Sequence, residues 1–235
     1  MSDTVFYSQP GFVLHHQPYR ESSLLIDVLT LDFGRVSLLA KGVRKAKSRS
    51  AALLRPFTAL SLSFVGKTSL KTLTHVEPIG SPIALKGLAL YCGFYVNELI
   101  SSFLHKDDPH PEIFQIYQDC IIQLSQTEFF EIALRVFEMN LMDNIGYGIQ
   151  LSYDARQGKP IDPNKKYLFN KDYGLVEGQD GHFSGTVLLA IERRQFDEPN
   201  VLNEAKLLMR TVIDSHLQGK ALKTRPVIND IVKRL

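Results

Sequence analysis

The period of the apolar positions divides the chain. Over the first eighty or so residues the period is two. Leu24, Ile26 and Val28 share one face, and Val36, Leu38 and Ala40 oppose Arg35, Ser37 and Lys41, with Leu39 the exception. Leu60, Leu62 and Phe64 alternate with Ser61 and Ser63. Such alternation predicts half-buried strands, because successive side chains on a strand point to opposite faces. Phe12-Val13-Leu14 and Leu70 to Val76 supply two more. Five short strands in so short a stretch predict a small closed barrel.

Pro78, Gly80 and Pro82 punctuate the chain, and beyond them the period becomes helical. Leu85, Leu88, Tyr91, Tyr95, Leu99 and Phe103 recur every three or four residues, as do Ile113, Ile116, Tyr117, Cys120, Ile121 and Leu124. Ser125 with Glu128 reads as a capping box opening a helix through Ile145, with Gly146 as its stop. Tyr167-Leu168-Phe169 facing Leu175-Val176 predicts a hairpin. Helical spacing returns at Val187 to Ile191 and at Val201 to Leu217, ended by Gly219, and Pro226 opens a last short helix through Leu235. The expected fold is α+β: a barrel domain over 1–79, then a mainly α-helical domain over 80–235 with a small β-hairpin insertion at about 153–184.

Composition adds little: 44% hydrophobic and 22% charged residues describe an ordinary globular chain. No apolar run reaches the roughly 18 residues that a membrane helix needs. Met1 to Gln9 lacks the basic start and apolar core of a signal peptide, so a cytosolic protein is expected. Cys92 and Cys120 sit among apolar residues and are expected to be buried, reduced thiols.

Charge changes the picture more. The net charge of +2 conceals a stretch from Phe33 to Val76 without Asp or Glu. It holds Arg35, Lys41, Arg44, Lys45, Lys47, Arg49, Arg55, Lys67 and Lys71, nine cations that leave −7 for the remainder. Segregation of this kind points to a polyanionic partner. The polar run Lys41 to Ser50 is expected to be a mobile loop that phosphate would order. Phe33, Phe57 and Tyr19 are nearby candidates for stacking on bases, although Phe57 and Phe64 fit a core better.

No catalytic constellation stands out. Gly66-Lys67-Thr68 resembles the end of a phosphate-binding loop, but the required glycine five places earlier is Ser61, inside a strand pattern. Lys67 is therefore read as a hairpin-turn lysine on the basic face. His105 to His110 carries metal-capable side chains, but Pro109 and Pro111 make it an extended linker. There is no Gly-x-Ser-x-Gly turn. A binding protein without metal or cofactor is expected rather than an enzyme. Two rivals are a scaffold whose basic barrel holds an acidic protein and a metal-dependent nuclease, whose acids would have to lie outside the basic stretch. Near the end, Lys220, Lys223, Arg225, Lys233 and Arg234 flank Val227, Ile228, Ile231 and Val232. That region fits a DNA contact, a cradle for an acidic peptide, or a solvated helix end.

A series of short motifs carries a resemblance. In order they are Phe12-Val13-Leu14-His15, Pro18-Tyr19-Arg20-Glu21-Ser22-Ser23, Asp27-Val28-Leu29-Thr30, Gly34-Arg35-Val36 and Ala40-Lys41-Gly42-Val43-Arg44. Leu54, Pro56-Phe57, Lys71-Thr72-Leu73, Tyr91 and Tyr95-Val96-Asn97-Glu98-Leu99 follow, then Arg135-Val136-Phe137-Glu138, Gly146-Tyr147-Gly148 and Leu222-Lys223-Thr224-Arg225. In order and spacing, over nearly the whole chain, they resemble the bacterial RecO recombination-mediator family.

The resemblance implies a five-stranded OB-fold barrel and a helical C-terminal domain. It implies binding to single- and double-stranded DNA, annealing of complementary strands, and no nucleotide cofactor. With RecR, such proteins help load RecA onto DNA coated by single-strand-binding protein (SSB), whose acidic, hydrophobic tail docks on the helical domain. Arg135, Lys220, Lys223 and Arg225 are the candidate cations for that tail. A cytoplasmic, nucleoid-associated DNA-repair protein is the corresponding expectation. Many members carry a four-cysteine zinc module after the Gly-Tyr segment. Tyr153 to Gly158 and its sequel contain no cysteine, which implies the zinc-free branch and a hairpin held by packing alone.

Overall fold

A computed structural model describes residues 4–45, 48 and 50–234. They form two compact units, Met1–Glu128 with Leu222–Leu235, and Phe129–Ala221.

The first unit is built on five strands: β1 (Val5–Tyr19), β2 (Ser23–Thr30), β3 (Gly34–Ala40), β4 (Ala59–Val65) and β5 (Leu70–Pro78). They close in the order β1-β2-β3-β5-β4, an OB-fold barrel, with only the β3–β5 pairing parallel. The alternating positions behave as their period requires. Val36, Leu38, Ala40, Leu60, Leu62 and Phe64 are buried together with Leu24, Ile26 and Val28. Each of these Val, Leu, Ile and Phe side chains stabilises the barrel by about 1.5–3 kcal/mol, and Ala40 by less.

β1 is much longer than its apolar centre suggests, because it serves two neighbours. Val5 to Phe12 pairs with β4, and Gly11 to Tyr19 pairs with β2. Gly11 belongs to both ladders; a Cβ there would lie 2.9 Å from Leu62 Cδ1 and 3.0 Å from Val28 Cγ1, so only glycine passes this crossing without displacing the core. The turn into β3 depends on a second glycine. Thr30 Oγ1 donates to Gly34 O and accepts from Phe33 N. Gly34 itself has φ +61°, with the Asp108 carbonyl where a Cβ would stand.

Between β3 and β4 lies a four-residue helix, α1 (Ser50–Leu53), too short to show a period. After β5 come α2 (Gly87–Phe103) and α3 (Pro111–Gln126), and α7 (Thr224–Val232) completes the unit. α2 is fastened to the barrel by a buried relay in which Asn97 Nδ2 donates to Leu14 O at 2.8 Å and Tyr117 OH donates to Asn97 Oδ1 at 2.7 Å. Phe12 packs its ring 5.1 Å from Tyr117 and 5.5 Å from Phe114. Burial raises the Tyr117 phenol well above its ordinary pKa, with nearby Cys120 adding to the effect. Both cysteines are buried.

The second unit contains α4 (Phe130–Asn144), β6 (Lys166–Asn170), β7 (Gly174–Glu177), β8 (Phe183–Ser184), α5 (Gly185–Glu192) and α6 (Pro199–His216). The hairpin pairs Leu168 with Val176 and Phe169 with Leu175, as the sequence suggests, and β8 adds a third strand beside β6. The expected capping box is absent. Ser125 lies in the last turn of α3, where its hydroxyl donates to Ile122 O, and α4 starts two residues after Glu128. The helical run ending at Leu124 continues past Ser125, so its hydroxyl bonds back within α3 rather than capping α4. α7 begins at Thr224, which leaves Pro226 within its first turn rather than at its opening.

The hairpin is not held by packing alone. Asp154, 3% exposed, accepts Arg156 N and Gln157 N on Oδ1 and Glu177 N on Oδ2, at 2.6–2.8 Å. Burial by itself would raise its pKa. The backbone N–H groups of Gln157, Glu177 and Arg156 overcome that and hold the carboxyl below the usual range. One buried anion thus gathers the 153–159 loop and β7.

Candidate nucleic-acid interface

The β1–β2 turn and the segment leaving β3 are neighbours, because Leu24 pairs with Ala40 at that end of the barrel. Arg44 fastens them: its backbone N donates to Ser22 O at 2.8 Å and its guanidinium donates to Arg20 O at 3.1 Å. Gly42, at φ +71°, turns the chain so that Lys45 N reaches Gly42 O. The result is an exposed group of four cations: Arg20, Lys41, Arg44 and Lys45. The Arg20 guanidinium lies 5.3 Å from the Tyr19 ring centroid. None of the four forms an ion pair with a described acid. Lys47 and Arg49, also candidates, lie outside the described residues.

The remaining candidates from the basic stretch are dispersed. Arg55 is exposed beside β1, on a segment held by His16 Nδ1 donating to Leu54 O and by Pro56 bridging to Val13. Lys67 is exposed in the β4–β5 turn. Parallel pairing sets Ser37–Leu39 against Leu70–Thr72, so Lys67 lies toward the start of β3 and Lys41 beyond its end.

Arg35 and Lys71 face inward. Arg35 pairs with Asp27 at 2.9 Å and donates to the Ser101 and Leu104 carbonyls. Lys71, 8% exposed, pairs with Asp107 at 2.5 Å. Both acids lie outside the acid-free stretch. The aromatic candidates divide similarly. Phe33 packs edge-on to Phe6 and Phe57 is buried beside Phe94, whereas Tyr19 stays half-buried at the cationic end.

Sequence reasoning passed over Arg20 because it precedes the acid-free stretch and is followed by Glu21; only the Arg44–Arg20 bond reveals its company. A surface of exposed, unneutralised cations at one end of a barrel suits phosphate binding, since each contact releases a condensed counterion.

A family model described as Recombination protein O N terminal matches residues 1–82, and one described as Recombination protein O C terminal matches residues 85–226. The chain belongs to the recombination protein O family. It is 42% identical over 217 residues to the DNA repair protein RecO of Methylococcus capsulatus, covering 92% of this chain and 90% of that one. It is 41% identical over 220 residues to the protein of the same name from Photobacterium profundum, covering 92% and 93%. For that of Mannheimia succiniciproducens the identity is 39% over 227 residues, covering 95% and 100%.

The other candidates of this RecO-family chain lie on two units. Arg135 is buried on α4 and forms a two-bonded ion pair with Glu138. Lys220 is exposed in the second unit, whereas Lys223 and Arg225 lie at the start of α7 in the first. Glu98 pins that start by accepting from Lys223 N, Thr224 N and Thr224 Oγ1, with its charge at the favourable end of the helix dipole. Arg225 sits 5.9 Å from the Tyr95 ring centroid, and Val227 and Val232 leave apolar surface exposed farther along α7. Among the described residues no group of three or more His, Cys, Asp or Glu is arranged to hold a metal ion. No described helix is long and apolar enough to cross a membrane.

Proposed function

We propose that this chain is a DNA-repair protein that works as a recombination mediator and catalyses no reaction of its own. Its barrel, within residues 1–79, grips phosphates of single- and double-stranded DNA. The observation that carries this reading is the exposed group Arg20, Lys41, Arg44 and Lys45, unneutralised by described acids, on an OB-fold barrel. Exposed Arg55 beside β1 adds positive charge to the barrel, whereas Lys67 stands toward the other end of β3 and is a separate contact. Arg35 and Lys71 position the strands that bear it. The names of the family's relatives favour DNA over an acidic protein as the polyanion.

Annealing follows when two strands share one positive surface that lowers their repulsion. Residues 80–235 tether the chain to SSB and, with RecR, allow RecA to load on the DNA so exposed. Tethering raises the local concentration without tighter DNA contacts. Lys223 and Arg225 are favoured for the SSB tail, since they stand at the start of the helix that exposes Val227 and Val232, whereas Arg135 is buried. A cytoplasmic, nucleoid-associated protein is the corresponding location.

The test is DNA binding and strand annealing by the intact chain across a salt series, with and without SSB. Binding that weakens steeply with salt, and annealing that persists on SSB-coated strands, are the expected results. A flat salt titration removes the electrostatic basis, and cleavage of the labelled DNA with added Mg²⁺ replaces the mediator with a nuclease.

A further inference from the structure

The loop and hairpin that Asp154 gathers carry a second set of exposed groups, unrelated to the barrel. Tyr173, at the hairpin tip, is 71% exposed, and Tyr153 is 47% exposed. On the same loop and hairpin tip Arg156, Lys159 and Lys171 are exposed and form no ion pair with a described acid. Nearby anions are mostly engaged: Asp154 by backbone N–H groups, Glu177 by Lys165 at 2.8 Å, and Asp162 by Asn164 N, leaving Asp172 in solvent.

These groups are held in place. Ala155 N donates to Leu175 O at 2.7 Å, so the loop lies along β7. Asp154 N donates to Lys159 O, Gly158 N donates to Asp154 O, and Tyr153 bridges to Pro160. Asn170 Oδ1 accepts Asp172 N and Tyr173 N at the tip. Ala155 lies opposite Leu175, two residues from each tyrosine. Because Asp154 reaches Glu177 N, the two tyrosines flank that contact on opposite sides, and Arg156 falls on the side nearer Tyr173.

We infer that this face is a second contact for single-stranded DNA, where bases stack on Tyr153 and Tyr173 and phosphates meet Arg156, Lys159 and Lys171. The inference rests on the DNA reading above. An exposed phenol ring gains little from its own fold, but it offers a flat face that any unpaired base can cover. Flanking cations supply the charge that draws the backbone to it. Duplex DNA, whose bases are already stacked, gains nothing from the rings. The face thus discriminates by strandedness, in contrast to the barrel's cations.

The full-length chain carrying Tyr153→Ala, Tyr173→Ala or both is titrated with labelled oligo(dT) and with labelled duplex, beside Tyr→Phe variants. Each alanine is expected to weaken oligo(dT) binding at least about fivefold, with duplex affinity and salt slope unchanged and phenylalanine restoring the native value. Arg156→Ala, Lys159→Ala and Lys171→Ala should each lower the salt slope on oligo(dT) by about 0.7. A double-alanine variant that binds oligo(dT) as tightly as native overturns the inference while leaving the barrel reading intact. Equal losses on oligo(dT) and duplex also overturn it, since stacking would not be the cause. A native chain that binds neither DNA overturns both readings.

Discussion

Replacing Arg20, Lys41, Arg44 and Lys45 together with alanine separates electrostatic grip from fold. All four are exposed, and none is ion-paired with a described acid, so their removal leaves no buried partner stranded. If each meets one phosphate, the slope of log affinity against log salt on single strands should fall by about 2.8, at about 0.7 per contact. On that basis a fourfold rise in salt weakens the native chain roughly 50-fold more than the variant. Fluorescence anisotropy with labelled oligo(dT) across a salt series measures both slopes. Arg35→Ala is the contrasting control. It leaves Asp27 and the Ser101 and Leu104 carbonyls without their donor, which costs about 2–4 kcal/mol in denaturant unfolding. It should leave the salt slope alone. An unchanged slope in the quadruple variant, or a steep loss of slope in a folded Arg35→Ala chain, would show that the cations are assigned to the wrong roles.

Two further predictions concern the anchors. Asp154→Asn keeps one acceptor oxygen but turns an amide donor toward Glu177 N, and should destabilise the second unit by about 2–4 kcal/mol. Because the folded-state pKa of Asp154 is depressed, its stabilisation is complete above the ordinary Asp value of about 3.9 and fades as pH falls through the lower folded value. Melting curves of native and variant should therefore converge in acid, and a constant gap from neutral to acid pH would contradict the carboxylate's role. Gly34→Ala combines a left-handed backbone with a Cβ 1.8 Å from the Asp108 carbonyl oxygen, so a loss of at least about 2 kcal/mol in denaturant unfolding is expected. A change within about 0.5 kcal/mol would mean that the segment around Asp108 moves aside freely.

The barrel was legible because one face of each strand is buried, which writes a period of two into Val36-Leu38-Ala40 and Leu60-Leu62-Phe64. The front of β1 was not. Ser8 has φ +48° and the ladder to β4 shifts between Phe6 and Gln9, so alternation breaks there. The hairpin partners Leu168–Val176 and Phe169–Leu175 could be read from the sequence, but the Asp154 anchor could not, since its acceptors serve backbone groups that any residue carries. For the cations, linear counting shows that acids are missing nearby but not which distant acids arrive. Asp27 and Asp107 reach into the basic stretch from either side and take Arg35 and Lys71, while Arg20 joins from outside it.

The path of the last residues bears on how the molecule can be dissected. Because Leu222–Leu235 folds back with Met1–Glu128, the segment between them is an insertion with two points of attachment, not an appendage on a single stalk. A fragment stopping at residue 128 would leave the Glu98 carboxylate without the three donors that α7 brings and would bare the α2 surface beneath that helix. Splicing residue 128 to residue 222 through a flexible bridge is the excision that keeps the barrel-bearing unit whole.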